Sequence, residues 1–337
     1  MIRHLVFPLE AVIYGVPYAV LQWLIRSPRP LDPAWTWEVV SRRPPPGLAL
    51  VTNHWPLRPL RRLLLGARMR QDHLLGISAH YDVSNDFYKL FLDDRYMFYS
   101  CADFHRPDET LGEAQQNKAD FILGLIDPKP EQKILELGCG WGSMLLRIEQ
   151  ATSNRDNLFG LTLSREQMAY NDEHNHFHVE LDDFITRDYT PKQFDVIYSI
   201  GAWEHVRPRE IKPLLRKLHA ALKPGGRLVK HFFCRVNEAL PAQVAVSQLY
   251  FPGSLGSSYR FHVQAFEETG FRITHRSIHD YRPTLRAWFD NLSARREQAL
   301  RIVDVKTYNR YLTFFPASWR FFQDNIGMVT RWVLEKR

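Results

Sequence analysis

The sequence has only three cysteines, Cys101, Cys139 and Cys234, and no C-x-x-C pair among them. That scarcity excludes a disulfide framework and leaves no ligand set for structural zinc. The chain reads as a reduced, cytosolic-side protein without a metal. No segment repeats at a period of about 20–50 residues, so a solenoid or propeller is excluded. No low-complexity tract is long enough to imply disorder. Lysine is absent from residues 1–79, where ten arginines meet four acids (Glu10, Asp32, Glu38, Asp72), a net +6 of the chain's +7. A basic front end on a nearly neutral body implies an anionic partner for the front end.

What is present decides which anion. Leu5 to Ile25 (LVFPLEAVIYGVPYAVLQWLI) is long enough to be considered as a transmembrane segment. Glu10, Gln22, Pro8 and Pro17 interrupt it, however. Flanking Arg3, Arg26 and Arg29, with Tyr14, Tyr18 and Trp23, fit a helix lying in a membrane interface. No small-residue cleavage site follows, which argues against a signal peptide. Leu57 to Arg70 mixes leucine clusters with Arg58, Arg61, Arg62, Arg68 and Arg70, the composition of a basic amphipathic helix. The expected partner is therefore an anionic phospholipid surface rather than nucleic acid, with the protein peripheral on the inner membrane face. The plainer alternative is that both segments pack on the main domain with solvated arginines.

At 337 residues and 45% hydrophobic content, the chain can bury an α/β domain of roughly 200–250 residues plus an appendage. Residues 1–76, broken by proline at 28–33 and 43–46, form the extension; 77–337 form the main domain, with a substrate-cap insertion at about 235–300. Short apolar runs at 134–137, 158–161, 194–200 and 227–233 alternate with helical stretches from about Ser143, Ser164 and Pro208. Pro224-Gly-Gly226 reads as a tight turn. The pattern predicts a Rossmann-like, mostly parallel, doubly wound sheet, whose ligand sits at the C-terminal strand ends.

Glu136-Leu-Gly138-Cys-Gly140-Trp-Gly142 follows the first of these strands and opens a helix. Glycines there admit a ligand close to the backbone, beside the free N–H groups of a helix start. The spacing is G-x-G-x-G, not the G-x-G-x-x-G of dinucleotide enzymes. Glu136 precedes the first glycine by two residues, the second strand runs into Gly160-Leu-Thr-Leu-Ser-Arg-Glu-Gln167, and Trp203-Glu204-His205 follows a later strand. This order suits a methyl donor better than a nicotinamide.

Several ordered segments resemble cyclopropane-fatty-acyl-phospholipid synthases and mycolic acid methyltransferases. They are 80–93 (HYDVSNDFYKLFLD), 99–104 (YSCADF), 135–142, Leu161-Thr-Leu-Ser-x-x-Gln167, 199–206 (SIGAWEHV), His231, 250–253 (YFPG) and 280–285 (DYRPTL). The likeness covers roughly residues 77–337. It implies a class I methyltransferase that holds S-adenosylmethionine through Tyr99, Ser100, Gly138, Gly140, Thr162, Leu163 and Gln167, with Asp183 near the adenine. It further implies an alkene of a lipid or acyl substrate attacking the sulfonium methyl, and a bound bicarbonate removing a proton from the resulting carbocation. Its bicarbonate ligands correspond to Cys101, Glu204, His231 and Tyr281, with backbone at Phe233. A weak alkene nucleophile gains from positioning and from a dry pocket, and the rings of Trp203, Phe232 and Phe233 are expected to face the cation.

The chain departs from the pattern in places. A cysteine near the C-terminus of many relatives falls on Phe315. The residues after His231, Phe-Phe-Cys-Arg235, are more similar to plant coclaurine N-methyltransferases. Those enzymes share the Glu204-His205 pair but carry a glutamate at Gly201, where an amine substrate would benefit from a proton acceptor; Gly201 thus favours an alkene. The competing reading is methylation of a soluble amine, isoprenoid or polyketide.

Overall fold

Ile134–Leu137 (β1) is buried at all four positions, as expected of a central strand covered on both faces. The computed structural model describes residues 2–43, 47, 83–237, 241–251 and 256–337. Around β1 a seven-stranded sheet assembles from Leu158–Thr162 (β2), His178–Leu181 (β3), Phe194–Ile200 (β4), Leu222–Arg235 (β5), Phe271–His279 (β6) and Gly327–Lys336 (β7). The order is β3-β2-β1-β4-β5-β7-β6. The first five strands are mutually parallel, and β7 runs antiparallel between β5 and β6. The expected Pro224-Gly-Gly226 turn is an excursion within β5: Phe194 pairs with Leu222 but Val196 already pairs with Arg227.

Helices cover both faces. Pro208–Ala221 turns Ile211, Leu214, Leu215, Leu218 and Ala221 inward, a helical stripe that packs with Leu135, Leu137, Ile197 and Leu228. On the other face Leu111–Ile126 and Ser143–Thr152 cover Ile134, Val196, Tyr198 and Val229. Leu111–Ile126 starts at a capping box, Glu113 N donating to Thr110 Oγ1 at 3.2 Å and Thr110 N to the Glu113 carboxylate at 2.8 Å. Its buried stripe includes one cation, Lys118.

The chain divides into two compact units, one of Leu92–Asn237, Gly256–Thr284 and Gly327–Arg337 and one of Met1–Phe91, Glu238–Leu255 and Leu285–Ile326. This grouping differs from a boundary at residue 76 and a cap over 235–300. The second unit is tied together by long-range polar contacts. Asn309 Oδ1 accepts from Leu31 N at 2.9 Å, and its Nδ2 donates to Arg29 O at 3.1 Å. In the same unit Phe315 is fully buried against Phe91, Trp288 and Tyr311.

The apolar run at the front is two helices, Ile2–Tyr14 and Val16–Ile25, broken at Gly15, where φ is 100°. Glu10, the charge inside that run, pairs with Arg26 at 3.0 Å. Among the described residues no helix is long and apolar enough to cross a membrane. The second helix buries Tyr18, Leu21, Leu24 and Ile25, whereas the first leaves Leu9 and Val12 exposed at 58% and 55%. The basic stretch from Leu57 to Arg70, and the start of the 80–93 segment, lie outside the described residues.

Candidate active site

The predicted ligand-binding residues gather at the C-terminal ends of β1, β2 and β3. Gly138, Gly140 and Gly142 all have positive φ, 78°, 54° and 77°. At Gly138 a side chain is excluded twice over, since a Cβ would also lie 2.5 Å from the Ala202 Cβ. Gly138 N and Cys139 N both donate to Leu161 O at 2.9 Å, which ties the turn to β2. Thr162 ends β2 and donates from Oγ1 to Gln167 Oε1 at 2.8 Å, while Leu163 follows half-buried. The Asn171 amide, donating to Gly140 O and Gln167 O at 2.9 Å each, joins the helix Arg165–Tyr170 to the glycine turn. Asp183 sits beyond β3, half-buried, with Oδ1 accepting from Ile185 N at 2.9 Å. Glu136 is buried and accepts from the Tyr198 hydroxyl at 2.8 Å. Burial lifts its carboxyl to about 8, against the opposing pull of that hydrogen bond and of Lys118.

The segment 99–103 crosses the end of β4. A Cβ on Gly201, whose φ is +69°, would meet the Ser100 Cβ at 3.2 Å and the Tyr99 carbonyl oxygen at 3.6 Å. Tyr99 is half-buried and Ser100 buried, its Oγ accepting from Lys118 Nζ at 2.9 Å. The Cys101 thiol is fully buried and donates to Ala102 O at 3.4 Å and Asp280 O at 3.5 Å, next to half-buried Tyr281. Burial pushes this thiol far up, so it is a neutral donor rather than a thiolate.

His231 and Phe233 lie on one face of β5, Lys230 and Phe232 on the other. His231 is buried and accepts at Nδ1 from Arg331 Nε at 2.8 Å. Burial first, then the neighbouring charges of Arg331, Lys118 and His279, hold its imidazole well below the usual range. Arg331 and Lys118 act on Cys101 as well, with Asp103 and Asp280 opposing them, so Cys101 and His231 share the influence of Arg331 and of a Lys118 whose charged form burial disfavours. Glu204 comes from a different element. It follows β4, on a loop whose Gly201 N donates to His231 O at 2.9 Å, and its charged neighbour is Lys230. The residue is half-buried but its Oε2 is buried, and this desolvation raises the carboxyl to about 8, with Lys230 opposing.

One expectation is corrected. Trp203 and Phe232 do not offer open ring faces. Both are buried in the core with Phe266, and the Lys230 Nζ lies 3.1, 4.6 and 4.5 Å from the Trp203, Phe232 and Phe266 ring centroids. Of the three aromatics proposed, Phe233 alone is half-buried on the His231 face.

The sequence reading missed Asp103, Lys118, Lys230 and Arg331. Lys230 and Arg331 are lone charges inside apolar strands, and that was the available signal, because a buried charge needs a compensating partner. Arg331 is fully buried, and Nη1 and Nη2 grip the Asp103 carboxylate at 2.5 and 2.9 Å. Burial alone would raise the Asp103 pKa. Hydrogen bonds from His279 and Arg331 overcome it and bring the carboxyl to about 2, below its ordinary 3.8. Asp103→Asn is therefore expected to lower stability by about 3–5 kcal/mol at pH 7, leaving a guanidinium buried without its counter-ion. The depressed pKa gives a stabilisation present above about pH 4 and lost as pH falls towards about 2. Urea unfolding from pH 7 down to 3 should show that acid limb in the parent and not in the variant.

The profile of the family described as mycolic acid cyclopropane synthetase matches residues 69–332. The chain is 32% identical over 290 residues to cyclopropane mycolic acid synthase MmaA2 of Mycobacterium tuberculosis, covering 78% of this chain and 98% of that protein. The solved structure of mycolic acid cyclopropane synthase CmaA1 with SAH and CTAB superposes with a TM-score of 0.70 at 28% identity, covering 78% and 98%. Coclaurine N-methyltransferase, solved with N-methylheliamine and SAH, gives 0.73 over 94% and 99% of the chains; at 20% identity it shows a shared fold alone.

Proposed function

The chain belongs to the mycolic acid cyclopropane synthetase family, and from that premise we propose that it methylates or cyclopropanates a double bond in an unsaturated acyl chain or similar lipid, with bicarbonate as base. It is an S-adenosylmethionine-dependent methyltransferase. The observation that carries the finer reading is a buried neutral thiol and a buried imidazole, Cys101 and His231, both acted on by Arg331, which donates to His231 Nδ1 at 2.8 Å.

The residues fit both groups. At Gly140 a Cβ would have the Gln167 Nε2, 4.0 Å away, as its nearest neighbour, so this side of the turn suits a ligand lying against the backbone. In this reading Glu136, the turn Gly138–Gly142, Thr162, Leu163, Gln167 and Asp183, with Tyr99 and Ser100, hold S-adenosylmethionine, which supplies an electrophilic methyl. Cys101, His231, Tyr281, Glu204 and the Phe233 backbone surround bicarbonate, which supplies a base that the methyl donor does not alkylate. Arg331 contributes positive potential there, partly offset by its partner Asp103, which suits a small anion. Glu204 Oε2, with its carboxyl near 8, takes up and gives up a proton within the working pH range. Gly201 supports an alkene over an amine, because the position offers no side chain to take an amine's proton.

A peripheral position on an anionic membrane is part of the proposal, supported by the exposed Leu9 and Val12 and by the basic composition of residues 1–79. Co-sedimentation of the full chain with phosphatidylglycerol vesicles tests it. Binding should weaken with salt and fall several-fold in Leu9→Asp/Val12→Asp; no binding at low salt would remove the membrane from the account. Methyl transfer should also slow when bicarbonate is stripped and recover when it is added back. A rate indifferent to bicarbonate would count against it as the base.

A further inference from the structure

Resting on the anion site just proposed, we infer that Arg331 locks His231 into the tautomer carrying its proton on Nε2, making His231 a fixed hydrogen-bond donor to the anion and removing it as a base. A guanidinium has donors and no acceptor. Its Nε–H points at His231 Nδ1 from 2.8 Å, so Nδ1 must present its lone pair. A neutral imidazole that accepts at Nδ1 carries its hydrogen on Nε2. Protonating His231 would set an N–H at Nδ1 against the guanidinium N–H and add a second positive charge in a buried place.

Arg331 has no freedom to turn away. The antiparallel register places it directly opposite His231 on the neighbouring strand. Its other two nitrogens are committed to Asp103 at 2.5 and 2.9 Å. Asp103 is braced in turn by His279 Nδ1 at 3.0 Å, and His279 Nε2 meets Ser277 Oγ at 2.8 Å. The charged groups acting on His231 are Arg331, Lys118 and His279, and Asp103 lies behind Arg331. All three neighbours are cationic or become so on protonation, and each disfavours an imidazolium. Arg331 is thus a positioning residue that acts through His231, and proton removal is left to the bound anion and to Glu204.

The test reads the tautomer directly, in full-length protein without substrate. Long-range ¹H–¹⁵N correlation spectra of ¹⁵N-histidine-labelled protein identify the His231 signals by their loss in His231→Gln. The expected pattern is a neutral Nε2–H ring that does not titrate from about pH 5.5 to 8.5, where an ordinary histidine changes charge near 6.5. Added bicarbonate should shift the Nε2–H resonance. In Arg331→Met, if it folds, both tautomers should appear and the ring should titrate. An Nδ1–H pattern in the parent, a ring that titrates there, or an Nε2–H resonance unmoved by saturating bicarbonate would overturn the inference. Because no turnover is measured, failure of lipid methylation would leave the tautomer result standing, and the wrong tautomer in an active enzyme would sink this inference alone.

Discussion

Glu204→Gln is expected to slow turnover by on the order of 10²-fold, as for loss of a proton-accepting group, while making the protein more stable. The two effects share one cause. The Glu204 carboxyl is raised from 4.5 to about 8 by burial. A raised folded-state pKa gives a contribution that is full below about pH 4.5 and is lost as pH climbs through about 8. Glutamine cannot ionise and escapes that loss, so the variant should gain on the order of 3 kcal/mol at pH 7 and little at pH 5. Thermal unfolding at both pH values measures this. In kinetics, kcat/KM of the parent should rise with pH up to about 8, and the variant should lack that limb. Affinity for S-adenosylmethionine should be almost unchanged. A variant with parental stability at both pH values, or with an intact alkaline rise in rate, would mean that Glu204 is not the buried titrating group.

Gly140→Val is the second large effect, and it should fall mainly on cofactor binding. Affinity for S-adenosylmethionine is expected to drop by at least about 100-fold, about 2.8 kcal/mol or more at 1.4 kcal/mol per tenfold. The fold should survive, because the nearest protein atom to a Cβ there is 4.0 Å away and the cost is the strain of φ +54°, about 1–2 kcal/mol. Gly138→Ala provides the contrast. Its Cβ would collide with Ala202 at 2.5 Å, so its damage should appear first in stability. Calorimetric titration with S-adenosylmethionine, beside far-ultraviolet circular dichroism, separates the two. Undiminished binding by Gly140→Val would move the cofactor away from this turn.

The parallel half of the fold was legible because its strands are short apolar runs bounded by glycine turns and amphipathic helices. Ile134–Leu137 and Phe194–Ile200 coincide with their predicted bounds. β6 was harder to see: six of its nine residues are polar, as in Arg272, Thr274 and Arg276 of an edge strand with a wet face. β7 was missed although most of it is buried, because Arg331 breaks the apolar pattern. At the site, local motifs carried residues 99–101, 136–142 and 204–205, where chemistry and chain order coincide. The charged scaffold was not legible. Asp103 and Arg331 are 228 positions apart, and only the β5–β7 pairing reveals that Arg331 faces His231. The aromatic residues misled for the same reason: alternation along β5 decides which ring faces the site, and Lys230 occupies the side where Phe232 points.

The central claim, that the chain adds a carbon to a lipid double bond, is tested most directly by mass spectrometry of total lipids from cells with and without the expressed protein. The account predicts an acyl or lipid species heavier by one CH₂ that has lost a double bond, present with the parent protein and absent with Gly140→Val. An unchanged lipid profile from a protein that binds S-adenosylmethionine would contradict it and point to a soluble small-molecule substrate.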